Sequence, residues 1–140
     1  MKDFKYCIWY TPGPDHPWNY FTNKFMPHLS IKTGLTESQA LYLFSIIKKQ
    51  DIEIEFDNLM CNEKEGFNSL YYTVKDKSIK PQWWPKNAHI SFLYKYNEKI
   101  TGYESRYLYT KMNYIKGVLK YFHIVKCTGH YSTWRIILSK

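Results

Sequence analysis

The chain has 140 residues, 20 of them lysine or arginine and 12 aspartate or glutamate, which gives a formal net charge of +8. Its apolar fraction of 44% and charged fraction of 23% are near those of globular proteins, so a disordered chain and a coiled coil are disfavoured. No apolar run approaches the ~20 residues of a membrane-spanning helix, and the N-terminal apolar stretch is too short for a signal peptide. We therefore expect one soluble, cytoplasmic domain over residues 1–140.

The residue usage is unusual in two respects. Aromatic residues reach 19%, and only Arg106 and Arg135 among the cationic residues are arginine. A lysine-rich, arginine-poor chain is typical of AT-rich coding, so the charge can be a solvated surface without a dedicated role. Positive charge nevertheless attracts anions, and exposed aromatic rings can stack on bases.

The first half of the chain predicts a loop-separated pair of strands, a helix and a third strand. Thr36 to Gln39 has the spelling of a helix capping box, and apolar residues follow it at helical spacing. Strict alternation over Ile52–Phe56 predicts a half-buried strand. The predicted elements are a strand over 6–10, a proline-containing loop over 12–24, a strand over 25–33, a helix over 36–49 and a strand over 52–56.

The second half repeats this order. Leu108, Met112, Ile115, Leu119 and Phe122 recur at helical spacing and predict an amphipathic helix. The other predictions are a strand over 69–74, a loop over 75–85, a strand over 88–94, and a terminal hairpin of strands over 124–127 and 133–138. Strand–strand–helix–strand, found twice, indicates an α+β fold with two pseudo-symmetric lobes, antiparallel sheets, a central cleft and flanking helices.

Each half carries a tetrapeptide of the pattern His–apolar–Ser–apolar on a predicted strand: His28-Leu29-Ser30-Ile31 and His89-Ile90-Ser91-Phe92. Residues i and i+2 of a strand point to the same face, so each histidine lies beside its serine, and the apolar residues point into the core. We expect the two imidazoles to face one another across one groove. A third His–x–Ser sequence, at His130, lacks the apolar fourth residue and is not expected to complete the pair.

The paired motifs resemble those of the 2H phosphoesterase superfamily, the LigT-like or cyclic-phosphodiesterase-like proteins. The hallmark of that family is two H-h-[ST]-h tetrapeptides on central strands of a two-lobed α+β fold, and serine stands here at both hydroxyl positions. The resemblance implies metal-free cleavage of a phosphodiester by His28 and His89, with Ser30 and Ser91 binding the phosphate.

The chemistry of these residue types agrees with that implication. Displacement at phosphorus needs a base on the nucleophile side and an acid on the leaving-group side, and two imidazoles can fill both roles near neutral pH. Two hydroxyls can donate hydrogen bonds to the non-bridging oxygens. The sequence does not assign acid and base between the two histidines. A purely structural role for the histidines is the alternative, and it is the one expected for His16 and His123.

No cofactor or metal site is predicted. Cys7, Cys61 and Cys127 are odd in number and widely spaced, without the spacing of a disulfide framework or a zinc site. No acidic cluster near either motif indicates magnesium, and a two-histidine metal site would have no third ligand at a recognisable offset.

A nucleotide substrate also needs groups that hold its base. Trp83 and Trp84, in a loop bounded by prolines directly before the second motif, are the leading candidates, because base–indole stacking is worth ~1–3 kcal/mol. Tyr10 and Trp134 are weaker candidates, Trp9 is expected in the core, and Lys32 would continue the Ser30 face and bring a cation near the phosphate.

The expected substrate is a small cyclic or 2′,5′-linked oligonucleotide, since relatives of the superfamily in phages and large viruses destroy nucleotide second messengers of host defence. RNA ends and 2′,3′-cyclic phosphates are the alternative. Two other classes stay open. A non-catalytic nucleic-acid-binding module would use the charge and the aromatics, although no RRM or KH signature occurs. An interaction or inhibitor domain is compatible with every sequence feature.

Overall fold

A computed structural model describes residues 4–22, 25–64, 66–75 and 81–140. Within them the fold is α+β, with an eight-stranded antiparallel sheet and two α-helices. The helices are α1 (Glu37–Ile46) and α2 (Gly102–Lys111). The strands are β1 (Tyr6–Thr11), β2 (Leu29–Leu35), β3 (Ile52–Lys64), β4 (Phe67–Val74), β5 (His89–Tyr96), β6 (Lys116–Leu119), β7 (Tyr121–Lys126) and β8 (Arg135–Ser139).

The strand order is β6-β3-β4-β5-β2-β1-β7-β8, which places the two motif strands, β2 and β5, at the centre. They meet through one backbone pair, Leu29 with Ile90. The strand that follows α1, β3, pairs with β4 on the far side of the sheet from β2. After α2, β6 pairs with β3 on the same side as β5, and β7 then pairs with β1 on the other side. The two halves of the sequence are therefore interleaved across the sheet.

Each helix begins with a capping box, and both helices pack on the same face of the sheet. Thr36 accepts a hydrogen bond from the Gln39 amide, as the sequence predicted, and Thr101 does the same with Glu104. The main core contains alternate strand residues, among them Ile8, Leu29 and Ile90, together with residues of both helices. Full burial of one such aliphatic side chain stabilises the folded state by about 1.5–3 kcal/mol. The apolar residues of each strand therefore face this core, and the residues between them point to the opposite face.

Several predicted elements are confirmed, with shifted ends. The strands predicted over 6–10, 25–33, 52–56, 69–74 and 88–94 correspond to β1, β2, β3, β4 and β5, and the terminal hairpin is formed by β7 and β8. β3 runs on to Lys64 because its second half pairs with β4. Residues 23–24 and 76–80, in the two predicted loops, lie outside the described residues. No helix in the described part of the chain is long and apolar enough to cross a membrane.

The prediction of an amphipathic helix that carries Leu108 to Phe122 is wrong in its extent. The capping box at Thr101 starts α2 earlier, and the helix ends at Lys111. Leu119 belongs to β6, which pairs with β3, and Phe122 belongs to β7, which pairs with β1. The four-and-three spacing therefore runs across a helix and two strands. Four of its residues are buried in different elements or at their ends, and Ile115 is exposed.

Gly117 in β6 has a structural role that a substitution can test. A Cβ atom there would lie 2.6 Å from two ring carbons of Trp18. The Trp18 side chain is fully buried, and its indole nitrogen donates a hydrogen bond of 2.6 Å to the Tyr114 carbonyl. The ring therefore has little freedom to move away.

We expect Gly117→Ala to lower the free energy of unfolding by about 1–3 kcal/mol, the usual effect of overpacking a core. Gly102→Ala is the matched control, because a Cβ at that position meets nothing within 4 Å. Urea unfolding midpoints of the two variants measure the difference. Equal midpoints would contradict the close packing of Trp18 on Gly117.

Candidate functional site

The central strand pair brings the two His–x–Ser motifs together. Leu29 pairs with Ile90 in antiparallel register, and both side chains are buried in the main core. One residue to either side, His28 stands opposite Ser91, and Ser30 stands opposite His89. In such a pair the diagonal neighbours, here the two histidines, have Cα atoms roughly 7–8 Å apart. All four side chains leave the sheet on the face opposite Leu29 and Ile90.

The two imidazoles are held in the same way. His28 Nδ1 lies 2.7 Å from the Met26 carbonyl oxygen, and His89 Nδ1 lies 2.8 Å from the Asn87 carbonyl oxygen. A carbonyl only accepts, so Nδ1 carries the hydrogen in both rings and Nε2 has the lone pair when the ring is neutral. No hydrogen bond from a described residue reaches either Nε2. Each ring thus presents the atom that can take up or release a proton.

His28 is buried among aromatic rings. Its imidazole stacks on the Trp9 indole, with ring centroids 3.6 Å apart. Phe25 and Trp134 contact it edge to face, with ring centroids 6.3 and 6.2 Å away. Burial lowers the pKa of His28 to about 4, opposed by the bond to the Met26 carbonyl and assisted by the positive charges that His89 and His123 can carry. His28 is therefore neutral at physiological pH.

His123 shows what a satisfied buried histidine looks like in the same sheet. It lies on β7 opposite Trp9. Its Nε2 is 2.7 Å from the Thr11 hydroxyl and its Nδ1 is 2.6 Å from the Ser139 hydroxyl, so both ring nitrogens have partners. Burial lowers the pKa of His123 to about 4 as well. The structural role expected for His123 fits these contacts. His28 differs in that no described residue hydrogen-bonds its Nε2.

His89 occupies the open side of the pair. It is exposed, and its ring lies 4.8 Å from the Tyr71 ring, which projects from β4 opposite Ser91. His89 and Tyr71 both line a cavity of about 500 Å³ that also contains polar side chains of β3 and β4. Tyr71 was not predicted, and β4's pairing with β5, which brings Tyr71 here, is not visible in the sequence.

The serines differ in exposure. Ser91 is buried and Ser30 is half-buried. Burial raises the pKa of Tyr94 to about 12, and the nearby Ser91 hydroxyl opposes that rise. Ser30 pairs with Trp9 across β1 and β2. Both hydroxyls lie on the face of the imidazoles.

Three of the predicted base-binding residues lie on the core side of the sheet, opposite the face of the imidazoles. Tyr10 is fully buried in the main core, where it stacks on Phe122 and its phenol donates to the Gln50 carbonyl. Trp83 packs against Tyr10 and Phe122, at 5.7 and 5.4 Å between ring centroids, and Trp84 packs on the same core. Because strand side chains alternate, residues next to Tyr10 in this core cannot share the face of Trp9 and His28.

Trp134 and Trp9 do lie at the imidazoles. Trp134, half-buried just before β8, contacts both Trp9 and His28 edge to face. Trp9 is buried, as expected, but in a second small cluster with Cys7, Val125 and Trp134 under the imidazole face. Lys32 is exposed, and a shift of register between Ile8 and Trp9 interrupts the alternation that was expected to extend the Ser30 face to it.

The remaining histidines act locally. His16 and His130 each accept a backbone hydrogen bond at the start of a short 3₁₀ turn, from Trp18 and Ser132 respectively. His130 also stacks on Tyr96 at the rim of a separate cavity, and it does not join the central pair. Over the described ranges, no group of three His, Cys, Asp or Glu side chains is placed to hold a metal ion.

No protein-family model matches the chain, and no curated protein matches it.

The two low pKa values predict how stability depends on pH. Folded His28 and His123 titrate near pH 4, whereas an unfolded histidine titrates near pH 6.5. Between these values the unfolded chain binds more protons, so the free energy of unfolding falls as the pH falls from about 6.5 to about 4. Each histidine contributes a slope of about 1.4 kcal/mol per pH unit there.

We expect His28→Gln and His123→Gln each to reduce the loss of unfolding free energy as the pH is lowered, and the double variant to reduce it further. Urea unfolding at pH 7, 6 and 5 measures the three slopes against the parent chain. Parallel stability curves for all four proteins would contradict neutral burial of these rings.

Proposed function

We propose that this chain is a phosphodiesterase of the 2H phosphoesterase type, acting without a metal ion on a nucleotide phosphodiester. One observation carries the proposal: two histidines of matched motifs lie diagonally across one strand pair. In each, Nδ1 donates to the carbonyl two residues before it, and no described residue hydrogen-bonds Nε2. A buried ring nitrogen without a partner is rare in proteins and costs stability, so Nε2 of His28 points to a ligand.

His28 is the general base in this proposal. Its neutral ring has a lone pair on Nε2, and burial among Trp9, Phe25 and Trp134 keeps it unprotonated. When water attacks phosphorus, its proton passes to His28 Nε2. The stacked indole and the Met26 carbonyl hold the ring in one orientation, which saves the entropy of positioning the base during the reaction.

His89 is the general acid. It is exposed, so water can solvate its charged form, and its Nε2 can give a proton to the oxygen that leaves phosphorus. The bond from phosphorus to that oxygen breaks as the bond from the water oxygen forms. The two proton transfers leave His28 charged and His89 neutral, and exchange with solvent restores the starting state.

Ser30 and Ser91 flank the two imidazoles and supply hydroxyl donors for the non-bridging oxygens. These oxygens gain charge in the transition state, and donors already in place stabilise it. The net charge of +8 favours approach of an anionic substrate.

The arrangement of the sheet supports the proposed family. Reading outward from the centre, each side has a motif strand, then the strand that precedes that motif in the chain, then a strand that comes after the other motif's helix. β6, the first strand after α2, lies at the edge beyond β3. This order, β5-β4-β3 on one side and β2-β1-β7 on the other, is what two pseudo-symmetric lobes would produce. The four motif residues would then lie in the cleft between the lobes.

The activity can be tested with a panel of substrates. We expect the purified chain, in excess EDTA, to cleave at least one of the cyclic di- and trinucleotides, 2′,5′-oligoadenylates or 2′,3′-cyclic nucleotides, as followed by chromatography. EDTA removes adventitious divalent ions, and turnover by the imidazole pair does not need them. Activity that appears only when a divalent ion is added would overturn the mechanism, and a panel without any cleavage would overturn the function.

Substitution of the central residues tests their roles. We expect His28→Ala and His89→Ala each to lower kcat by ~10²–10⁴-fold, the usual contribution of one general acid or base. Ser30→Ala and Ser91→Ala should cost less, because each removes a hydrogen bond and no proton transfer. His16→Asn is the matched control, since asparagine can also cap the short turn that His16 begins. Turnover that survives either histidine substitution would contradict the assignment.

A further inference from the structure

Strand β4 brings two further hydroxyl groups to the face of the imidazoles. In the antiparallel register of β4 and β5, Tyr71 pairs with Ser91 and Thr73 pairs with His89. Residues directly opposite one another in such a pair point to the same face of the sheet. The second motif therefore has polar neighbours on β4 as well as on β2.

The pairing of Tyr71 with Ser91 depends on an irregularity in the sheet. Leu70 pairs with Leu93, but Tyr71 pairs with Ser91, so one extra residue of β5, Phe92, lies between the two pairs. A regular continuation from Leu70 and Leu93 would place Tyr71 opposite Phe92, which is buried in the main core. Bulges of this kind re-aim side chains and are common beside active sites.

The two hydroxyls of β4 differ in their partners. Thr73 Oγ1 accepts a hydrogen bond of 3.0 Å from the Asn58 amide and donates one of 3.4 Å to the Asn58 carbonyl, so it holds β3 to β4. Within the described part of the chain, no residue hydrogen-bonds the Tyr71 hydroxyl. The Tyr71 hydroxyl is therefore left for water or a ligand.

The Tyr71 ring lies against the exposed histidine. The ring centroids of Tyr71 and His89 are 4.8 Å apart, with the planes inclined by 56°, and Tyr71 is half-buried. Both side chains line the same cavity of about 500 Å³. A general acid must lie within hydrogen-bonding reach of the oxygen that it protonates. Since His89 is the proposed acid, the leaving group would enter this cavity beside the Tyr71 phenol.

We propose that Tyr71 is a further catalytic residue, whose hydroxyl donates a hydrogen bond to the oxygen that leaves phosphorus. This rests on the proposed function, which makes His89 the general acid. Negative charge develops on the leaving oxygen as its bond to phosphorus lengthens, and a phenol O–H already in place stabilises that charge. The proton that neutralises the oxygen comes from His89, and Tyr71 keeps its own.

Two esters that differ only in the leaving group test this role: the phenyl and p-nitrophenyl esters of thymidine 5′-phosphate. Phenolate concentrates charge on the leaving oxygen, whereas p-nitrophenolate spreads it into the nitro group. We expect Tyr71→Phe to lower kcat by about 10-fold or more for the phenyl ester, the usual effect of one hydrogen bond to a charged group, and by about 3-fold or less for the p-nitrophenyl ester. His89→Gln should likewise lose more on the phenyl ester, because an acid acts on the same oxygen.

Two further variants separate catalysis from packing. Tyr42→Phe, at an exposed tyrosine of α1, is the matched control and should leave both rates unchanged. Tyr71→Leu removes the ring as well as the hydroxyl, and urea unfolding midpoints follow the folding of each variant. If Tyr71→Phe behaves as the parent and Tyr71→Leu loses equally on the two esters, the ring only packs against His89 and the inference is overturned.

Failure of this inference is distinct from failure of the proposed function. A parent chain that cleaves neither the esters nor any nucleotide of the substrate panel would overturn the proposed function, and the role of Tyr71 with it. If the parent cleaves only panel nucleotides, Tyr71→Phe is measured on those, because their leaving oxygen is an alkoxide. A kcat equal to that of the parent would then overturn the role of Tyr71 and leave the phosphodiesterase standing.

Discussion

The backbone pair between Leu29 and Ile90 sets the geometry on which the rest of the site depends. It joins β2 and β5 at the middle of the sheet, and its antiparallel sense places each histidine opposite the other motif's serine. Both side chains are buried in the main core, so the register cannot slip by one residue without turning apolar side chains out of the core. The hydrophobic core thereby fixes two imidazoles on the opposite face.

The burial of His28 gives the two motif histidines different environments. Trp9 lies against one side of the His28 ring, and Trp134 and Phe25 approach it edge-on, which leaves the ring neutral. His89 has the same motif and the same bond to a backbone carbonyl, but it remains in contact with water. Two motifs of the same pattern thus acquire different environments, which is what the proposed base and acid roles require.

The comparison of His28 with His123 shows why burial alone does not indicate function. Both rings are buried and both have a lowered pKa. His123 bonds two hydroxyls, from Thr11 and Ser139, and needs nothing more. His28 has one bonded nitrogen and one that faces the site without a described partner, so a ligand can complete its hydrogen bonding.

The sequence by itself determined the features that depend on local pattern. These are the start of α1 at its capping box, seven of the eight strands, and the face shared by each histidine with its serine, because alternation is a property of a single strand. Tertiary structure decided the rest. Trp83, Trp84 and Tyr10 lie on the core side of the sheet, and Trp9 stacks on His28. The apolar residues that follow Leu108 at helical spacing lie beyond the end of α2, two of them in strands. Which face a residue occupies relative to another strand is set by pairing between distant segments, here Leu29 with Ile90 and Trp9 with Ser30, and that information is not present in either segment alone.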